Sequence, residues 1–271
     1  MRIRAGFTLA FDCAAPTPMI FLLNVHPSRL DDMIVPEHLV LKPEIAHTCY
    51  IDSFGNICTR LLAPEGEFVL SNEFVIADSG NPDAIPSDRA QILIEDLPDD
   101  VLVFLLGSRY CETQKLMTKA WALFGNTSPG WPRVEEILHY AHERIRFNYK
   151  DARADRTAFE GDTEQVGVCR DYAHLAITLC RCMNIPARYC TGYLGDIGVP
   201  PDPAPMDFSA WFEVFLGGSW HTVDARHLHP RIGRILIARG RDASDVAIST
   251  AFGVASLKEF RVITEEVAEL A

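Results

Sequence analysis

Cys169 is the residue best placed to do chemistry in this sequence, because it opens a predicted helix and follows Gly167-Val168. The first N–H groups of a helix have no helical partner and lie at the positive end of the helix dipole. They favour a thiolate and offer donors to a developing oxyanion. A cysteine at this position can therefore be a nucleophile, although position alone fits a small helix-start residue equally well.

A cysteine nucleophile needs a base and a group that orients the base, and a predicted hairpin supplies one of them. Residues 207–224 read DFSAWFEVFLGGSWHTVD, in which two strand-like runs flank Gly217-Gly218. A two-residue turn there places positions 209, 211, 224 and 226 on one face of the ribbon. A base at 209 is then a diagonal neighbour of Asp224. The residue present is Ser209, which cannot serve as a base.

Periodicity and turn residues predict the elements that position these side chains. The run CRDYAHLAITLCRCMN has apolar residues at i, i+3, i+4 and i+7, which is typical of a helix, and Asn184 suits its end. The predicted elements are strands within 1–105 with a loop at 79–88, helices at 113–125, 132–147 and 169–184, a mostly irregular stretch at 151–167, a strand at 187–194, a Pro-rich loop at 195–207, and one or two further strands in the tail 227–271.

The stretches GVCRDYAHLAITLCRCMNIPARYCTGYLGD and DFSAWFEVFLGGSWHTVDAR resemble the core of the transglutaminase-like superfamily, and more narrowly its bacterial cysteine-protease branch. The resemblance runs from about residue 108 to the end of the tail. It implies an α+β, papain-like fold in which the Cys helix packs on an antiparallel sheet. We accordingly expect an N-terminal β-rich domain, residues 1–105, and a catalytic core, residues 106–271, with the C-terminal strands packed on it.

Carried over by position, the Cys-His-Asp triad of the family falls on Cys169, Ser209 and Asp224, because FSAWFEVF stands where the pattern has His-Ala-Trp. The resemblance also makes Trp211 a wall of the Cys169 cleft and Asp171 a structural residue. It implies no cofactor. The departure at Ser209 removes the proton acceptor of the nucleophile and a cation that would lower its pKa.

Another histidine could replace the missing base. His221 is the first to consider, although the simple register turns it away from Asp224 and a bulge would be needed to reverse it. His227 and His229 follow the second strand and could fold back, but nothing in the sequence requires it.

Two functions fit these residues. One is a cysteine hydrolase or transamidase that acts on peptide or protein amides through a thioester at Cys169 and is impaired by Ser209. The alternative is a catalytically inactive binding or scaffold protein. Because the other site residues are present, a recent or introduced replacement of the histidine fits the sequence better than gradual loss of the site by genetic drift.

The composition narrows the range of partners. The 271 residues are 48% hydrophobic and carry a formal net charge of −12, which argues against nucleic acid. The N-terminus shows no signal-peptide pattern and the most apolar run, 101–107, is too short to span a bilayer, so we expect a cytoplasmic protein without a membrane partner. The eight cysteines are expected to be free. No spacing predicts a zinc site or a nucleotide-binding loop, so no metal or cofactor is expected, and no oligomeric state is predicted.

Overall fold

Three antiparallel sheets and four α-helices form most of the protein, whose computed structural model describes residues 1–267. The strands are β1 (Arg2–Cys13), β2 (Thr17–Phe21), β3 (Met33–Val35), β4 (Val40–Lys42), β5 (His47–Ile51), β6 (Ile57–Ala63), β7 (Gly66–Ala77), β8 (Arg146–Phe147), β9 (Val166–Gly167), β10 (Ala187–Tyr193), β11 (Ser209–Leu216), β12 (Ser219–Val223), β13 (Ile235–Gly240), β14 (Ser249–Ala251) and β15 (Ala255–Val267). The α-helices are α1 (Thr113–Phe124), α2 (Trp131–Arg144), α3 (Ala158–Glu164) and α4 (Cys169–Cys182). Short 3₁₀ helices span Pro27–Asp32, Ile94–Asp96, Leu102–Leu105 and Tyr149–Asp151.

The sheets follow the two halves of the chain. Two sheets are built mainly from the first 77 residues, in the orders β15-β1-β7-β3, with β4 also on β7, and β14-β2-β6-β5. The third sheet, β12-β11-β10-β13, belongs to the second half, and β8 pairs with β9 in parallel. This arrangement confirms the α+β fold class with antiparallel sheets.

The C-terminal strands differ from the expectation that they pack on the catalytic core. Only β13 joins the third sheet, beside β10, whereas β14 pairs with β2 and β15 pairs with β1 along its whole length. Strand β1 is largely buried, so its backbone groups need a partner on both edges, and β7 occupies only one of them. The tail therefore completes the N-terminal sheets, and a domain boundary near residue 105 stays a prediction.

Helix α4 lies at the centre of the second half. It packs on α1, α2 and α3 on one side and on β10 and β11 on the other, so residues 171–182 are all buried. The predicted end is confirmed, because Asn184 follows it with a φ of 60°, a conformation that Asn tolerates well. Over the described residues, none of the helices combines the length and the apolar character that crossing a membrane requires.

The hairpin adopts the predicted register. Gly217 and Gly218 have φ values of 57° and 86°, as a two-residue type I′ turn demands, and Phe212 pairs with Val223. The ladder stops at Val223, so Asp224 is the first residue after the strand. The chain therefore leaves the hairpin at Asp224, the residue that was expected to orient the base.

Arg181 fixes the end of α4 to the elements around it. The residue is 2% exposed, and its guanidinium donates to the carbonyl oxygens of Ala187, Leu106 and Arg241 and to the hydroxyl of Ser108. These partners belong to three separate segments of the chain. One buried cation therefore holds the helix to the segment before α1, to the start of β10 and to the segment after β13.

Replacement of Arg181 by Met, which has no donors, should lower the free energy of unfolding by about 3–5 kcal/mol, because several buried oxygens lose their partner together. Urea denaturation followed by circular dichroism measures the change. Arg60→Met, at an exposed position, is the control and should change the value by less than about 0.5 kcal/mol. Equal losses in the two variants would contradict this role.

Candidate active site

Cys169 is the first residue of α4, and the start of the helix is fixed by Asp171. The buried carboxylate of Asp171 accepts a hydrogen bond from the N–H of Val168 at 2.8 Å and one from Arg156 at 3.2 Å. A Cβ at Gly167 would lie 2.6 Å from this carboxylate, so only glycine fits there. The structural role expected for Asp171 is thus visible in its contacts.

The thiol of Cys169 faces a cavity of about 370 Å³. Burial raises the pKa of Cys169 to about 11, while the nearby guanidinium of Arg226 and a hydrogen bond from the backbone N–H of Ala210 act in the opposite direction. We had expected the helix start to favour a thiolate. The cost of desolvating the charge is larger, so the helix start does not by itself make this cysteine a thiolate. At neutral pH Cys169 needs a base.

An imidazole in the same cavity is paired with the predicted orienting carboxylate. The ring Nδ1 of His227 lies 2.8 Å from Oδ2 of Asp224, and His227 lines the cavity together with Cys169. A carboxylate can only accept this bond, so Nδ1 carries a proton, and in the neutral imidazole Nε2 has the free lone pair. His227 thus has the tautomer of a general base.

Asp224 is nearly fully buried, and its other contacts keep it charged. Its Oδ2 also accepts from Nη2 of Arg234 at 2.8 Å, and its Oδ1 accepts from the backbone N–H groups of Arg226 and His227. Burial alone would raise the pKa of Asp224, but the bond from His227 and the charge of Arg234 outweigh it and hold that pKa well below its usual range. The carboxylate therefore stays ionised beside the imidazole.

A tight turn brings His227 to this position. Asp224 bonds the backbone N–H of Arg226 with its side chain, and its carbonyl accepts from the N–H of Leu228 at 3.1 Å. Nδ1 of His142, on α2, bonds the carbonyl of Ala225 at 3.1 Å and fixes the turn from outside. An Asp that begins a turn in this way is a recognisable local pattern. The spacing Asp-x-x-His was therefore the signal that could have singled out His227.

The remaining predicted residues are placed as follows. Ser209 is buried and lines the Cys169 cavity. Trp211 lies under the guanidinium of Arg234, 5.0 Å from ring centroid to Cζ, and lines a neighbouring cavity rather than the one around Cys169. His221 is not brought to the site: its Nε2 lies 3.1 Å from both the carbonyl of Leu216 and the hydroxyl of Ser219, as the regular register requires. Among residues 1–267, no group of three or more His, Cys, Asp or Glu side chains is arranged to hold a metal ion.

Comparison with known proteins shows which family the chain belongs to. The sequence model of the transglutaminase-like superfamily matches residues 120–225. A solved structure from Cytophaga hutchinsonii, described as a "putative cysteine protease", is 30% identical with a TM-score of 0.85, and the match covers 100% of this chain and 92% of that one. The chain belongs to the transglutaminase-like superfamily.

A second relative agrees in length. An uncharacterized protein of Mycobacterium leprae is 35% identical over an alignment of 206 residues, and the match covers 73% of each chain. The range matched by the superfamily, residues 120–225, includes the Cys169 helix and Asp224 but ends before His227. The imidazole that lies in this site is therefore outside the segment that carries the family pattern.

Arg226 places a cation near the Cys169 thiol. Its guanidinium stacks on the ring of Phe147, 3.9 Å from the centroid, and lines the Cys169 cavity. Arg226→Gln should raise the pKa of Cys169 further and slow its alkylation by iodoacetamide at pH 8 by roughly threefold to tenfold, whereas Arg226→Lys should recover part of the rate.

Mass spectrometry of the Cys169 peptide measures this rate. The exposed Cys49 gives an internal reference in each sample, because the six other cysteines are buried. Arg261→Gln, an exposed arginine outside this cavity, is the control variant and should alkylate like the parent protein. An unchanged rate in Arg226→Gln would show that its charge does not act on the thiol.

Proposed function

We propose that the protein is a cysteine hydrolase or transamidase that acts on peptide or protein amides through a thioester at Cys169, with His227 as the base. One observation carries the proposal: His227, oriented by Asp224 through Nδ1, shares a cavity with Cys169. The relation of nucleophile, base and carboxylate defines such a triad, and the sequence position of the base does not. From the sequence we also place this activity in the cytoplasm, without a nucleic-acid or membrane partner.

The groups of the site suffice for acyl transfer. Nε2 of His227 accepts the proton of the Cys169 thiol as the sulfur attacks the amide carbonyl carbon, and the first N–H groups of α4 are candidate donors to the oxyanion. As the tetrahedral intermediate collapses, the C–N bond breaks and the imidazolium returns the proton to the leaving amine. Water or a second amine then attacks the thioester with His227 again as base, which releases an acid or a new amide and restores the thiol.

The alternative is a binding or scaffold protein without catalysis. Ser209 at the position of the family histidine, together with the raised pKa of Cys169, favours it. The two functions differ in one property, since only the enzyme has a base that acts on Cys169. Moving the histidine from position 227 to position 209 therefore distinguishes the two functions.

His227→Gln should reduce acylation of Cys169 by 4-nitrophenyl acetate at pH 7 by about 100-fold or more, because the general base is lost. A Cys49→Ser background removes the other accessible thiol. Adding Ser209→His to His227→Gln should restore at least part of the rate, because it places an imidazole at the family position. Nitrophenolate release is followed by absorbance, and ammonia release and amine incorporation are then measured with a glutamine peptide.

His221→Gln is the matched control, since this hairpin histidine bonds only its own turn. It should leave the rate unchanged. If His227→Gln is as fast as the parent while Ser209→His alone raises the rate strongly, the parent site has no working base and the binding function stands.

A further inference from the structure

A carboxylate from the first half of the chain reaches the site through one arginine. Asp83 lies in the loop at 79–88, and its Oδ2 accepts from Nε of Arg234 at 2.8 Å. The same oxygen accepts from the backbone N–H of Arg231 at 3.1 Å, and the N–H of Asp83 donates to the carbonyl of Arg231 at 2.9 Å. Three hydrogen bonds thus fix Asp83 on the segment that precedes β13.

Arg234 connects this loop to the imidazole. It is 8% exposed, stacks on Trp211, and donates through Nη2 to the Asp224 oxygen that also accepts from His227. One planar guanidinium thus bonds two carboxylates through different nitrogens, a geometry that Lys cannot reproduce. The order of contacts is Asp83, Arg234, Asp224, His227.

The three charged residues in this series alternate in sign, and the imidazole of His227 experiences the sum of their charges. Asp83, Arg234 and Asp224 together carry a net charge of −1. Removal of the charge of Asp83 leaves a sum of zero, and removal of the charge of Arg234 leaves −2. Arg234 and Asp224 are buried and the Asp83 side chain is 20% exposed, so solvent screens these interactions only in part and each change should be felt at His227.

We propose that Asp83 and Arg234 are positioning residues that set the charge which Asp224 presents to His227, so that a loop of the first half tunes the base of the site. This inference rests on the proposed function. Arg234 holds the carboxylate of Asp224 in place. Asp83 cancels part of the positive charge that Arg234 would otherwise add near His227.

Other charged and titratable groups share the cavity with the imidazole, and they stay constant in the comparison. They line the cavity and come from its own segment (Arg226, His229, Arg231), from the 195–207 loop (Asp196, Asp202, Asp207), and from the Tyr149–Asp151 turn and α4 (Tyr149, Cys169). The rings of His227 and His229 lie 5.9 Å apart, measured between their centroids.

The test is the pH profile for acylation of Cys169 by 4-nitrophenyl acetate, again with Cys49→Ser. Its acid limb belongs to the Cys169–His227 pair. Asp83→Asn makes the surroundings more positive, so protonation requires a lower pH and the midpoint of the limb should fall by about 0.5 pH unit or more. Arg234→Gln should move it upward, and the double variant should return it toward the parent value.

A merely structural role predicts losses of rate without these opposite movements. Asp83→Asn is nearly isosteric and keeps an acceptor for Arg231, so it tests the proposal even if Arg234→Gln does not fold. Asp88→Asn, an exposed loop residue paired with Arg89, is the control and should leave the midpoint unchanged.

The two proposals fail in different ways. If the acid limb persists in His227→Gln, the proposed base is wrong. If His227→Gln loses the acid limb, the proposed base stands. If Asp83→Asn then shows an acid limb whose midpoint is unchanged or raised, the role of the loop is overturned.

Discussion

The carboxylate of Asp224 is buried with four hydrogen bonds, and the geometry of the site depends on how these bonds are made. An ionised group removed from water is tolerated only when its lone pairs are satisfied, and a carboxylate has about four such positions. Two are met by backbone N–H groups, which forces the chain to turn directly after the hairpin. The other two are met by His227 and Arg234, which brings an imidazole and a cation to one oxygen. The positions of the proposed base and of its carboxylate partner thus depend on the solvation of one charge.

Local signals were sufficient for the helix and the hairpin. The apolar spacing after Cys169 predicts α4, and Gly217-Gly218 predicts the register, because both patterns depend on neighbours in sequence. His227 was not distinguished in advance, since its position depends on the turn after Asp224 and on a contact from α2. The partners of β14 and β15 and the bond between Asp83 and Arg234 join distant segments, which periodicity does not encode.

Ser209 illustrates how a site is defined by space rather than by position in the chain. The family pattern places an imidazole on β11, whereas here a small side chain lines the same cavity and a ring enters from the segment after β12. The Cys helix and the orienting carboxylate keep their places. A position-by-position transfer of roles therefore reaches two of the three groups of the proposed site and overlooks the third.

The pairing of β15 with β1 also determines when the sheet around β1 can be completed during translation. Strand β1 lies between β7 and β15, so it gains its second neighbour only from a segment far later in the chain, Ala255–Val267. Until that segment has been translated, one edge of a largely apolar strand has no partner from its own sheet. Unpaired edges of this kind are where nascent chains associate wrongly, so this edge is exposed to wrong pairing until Ala255–Val267 has emerged.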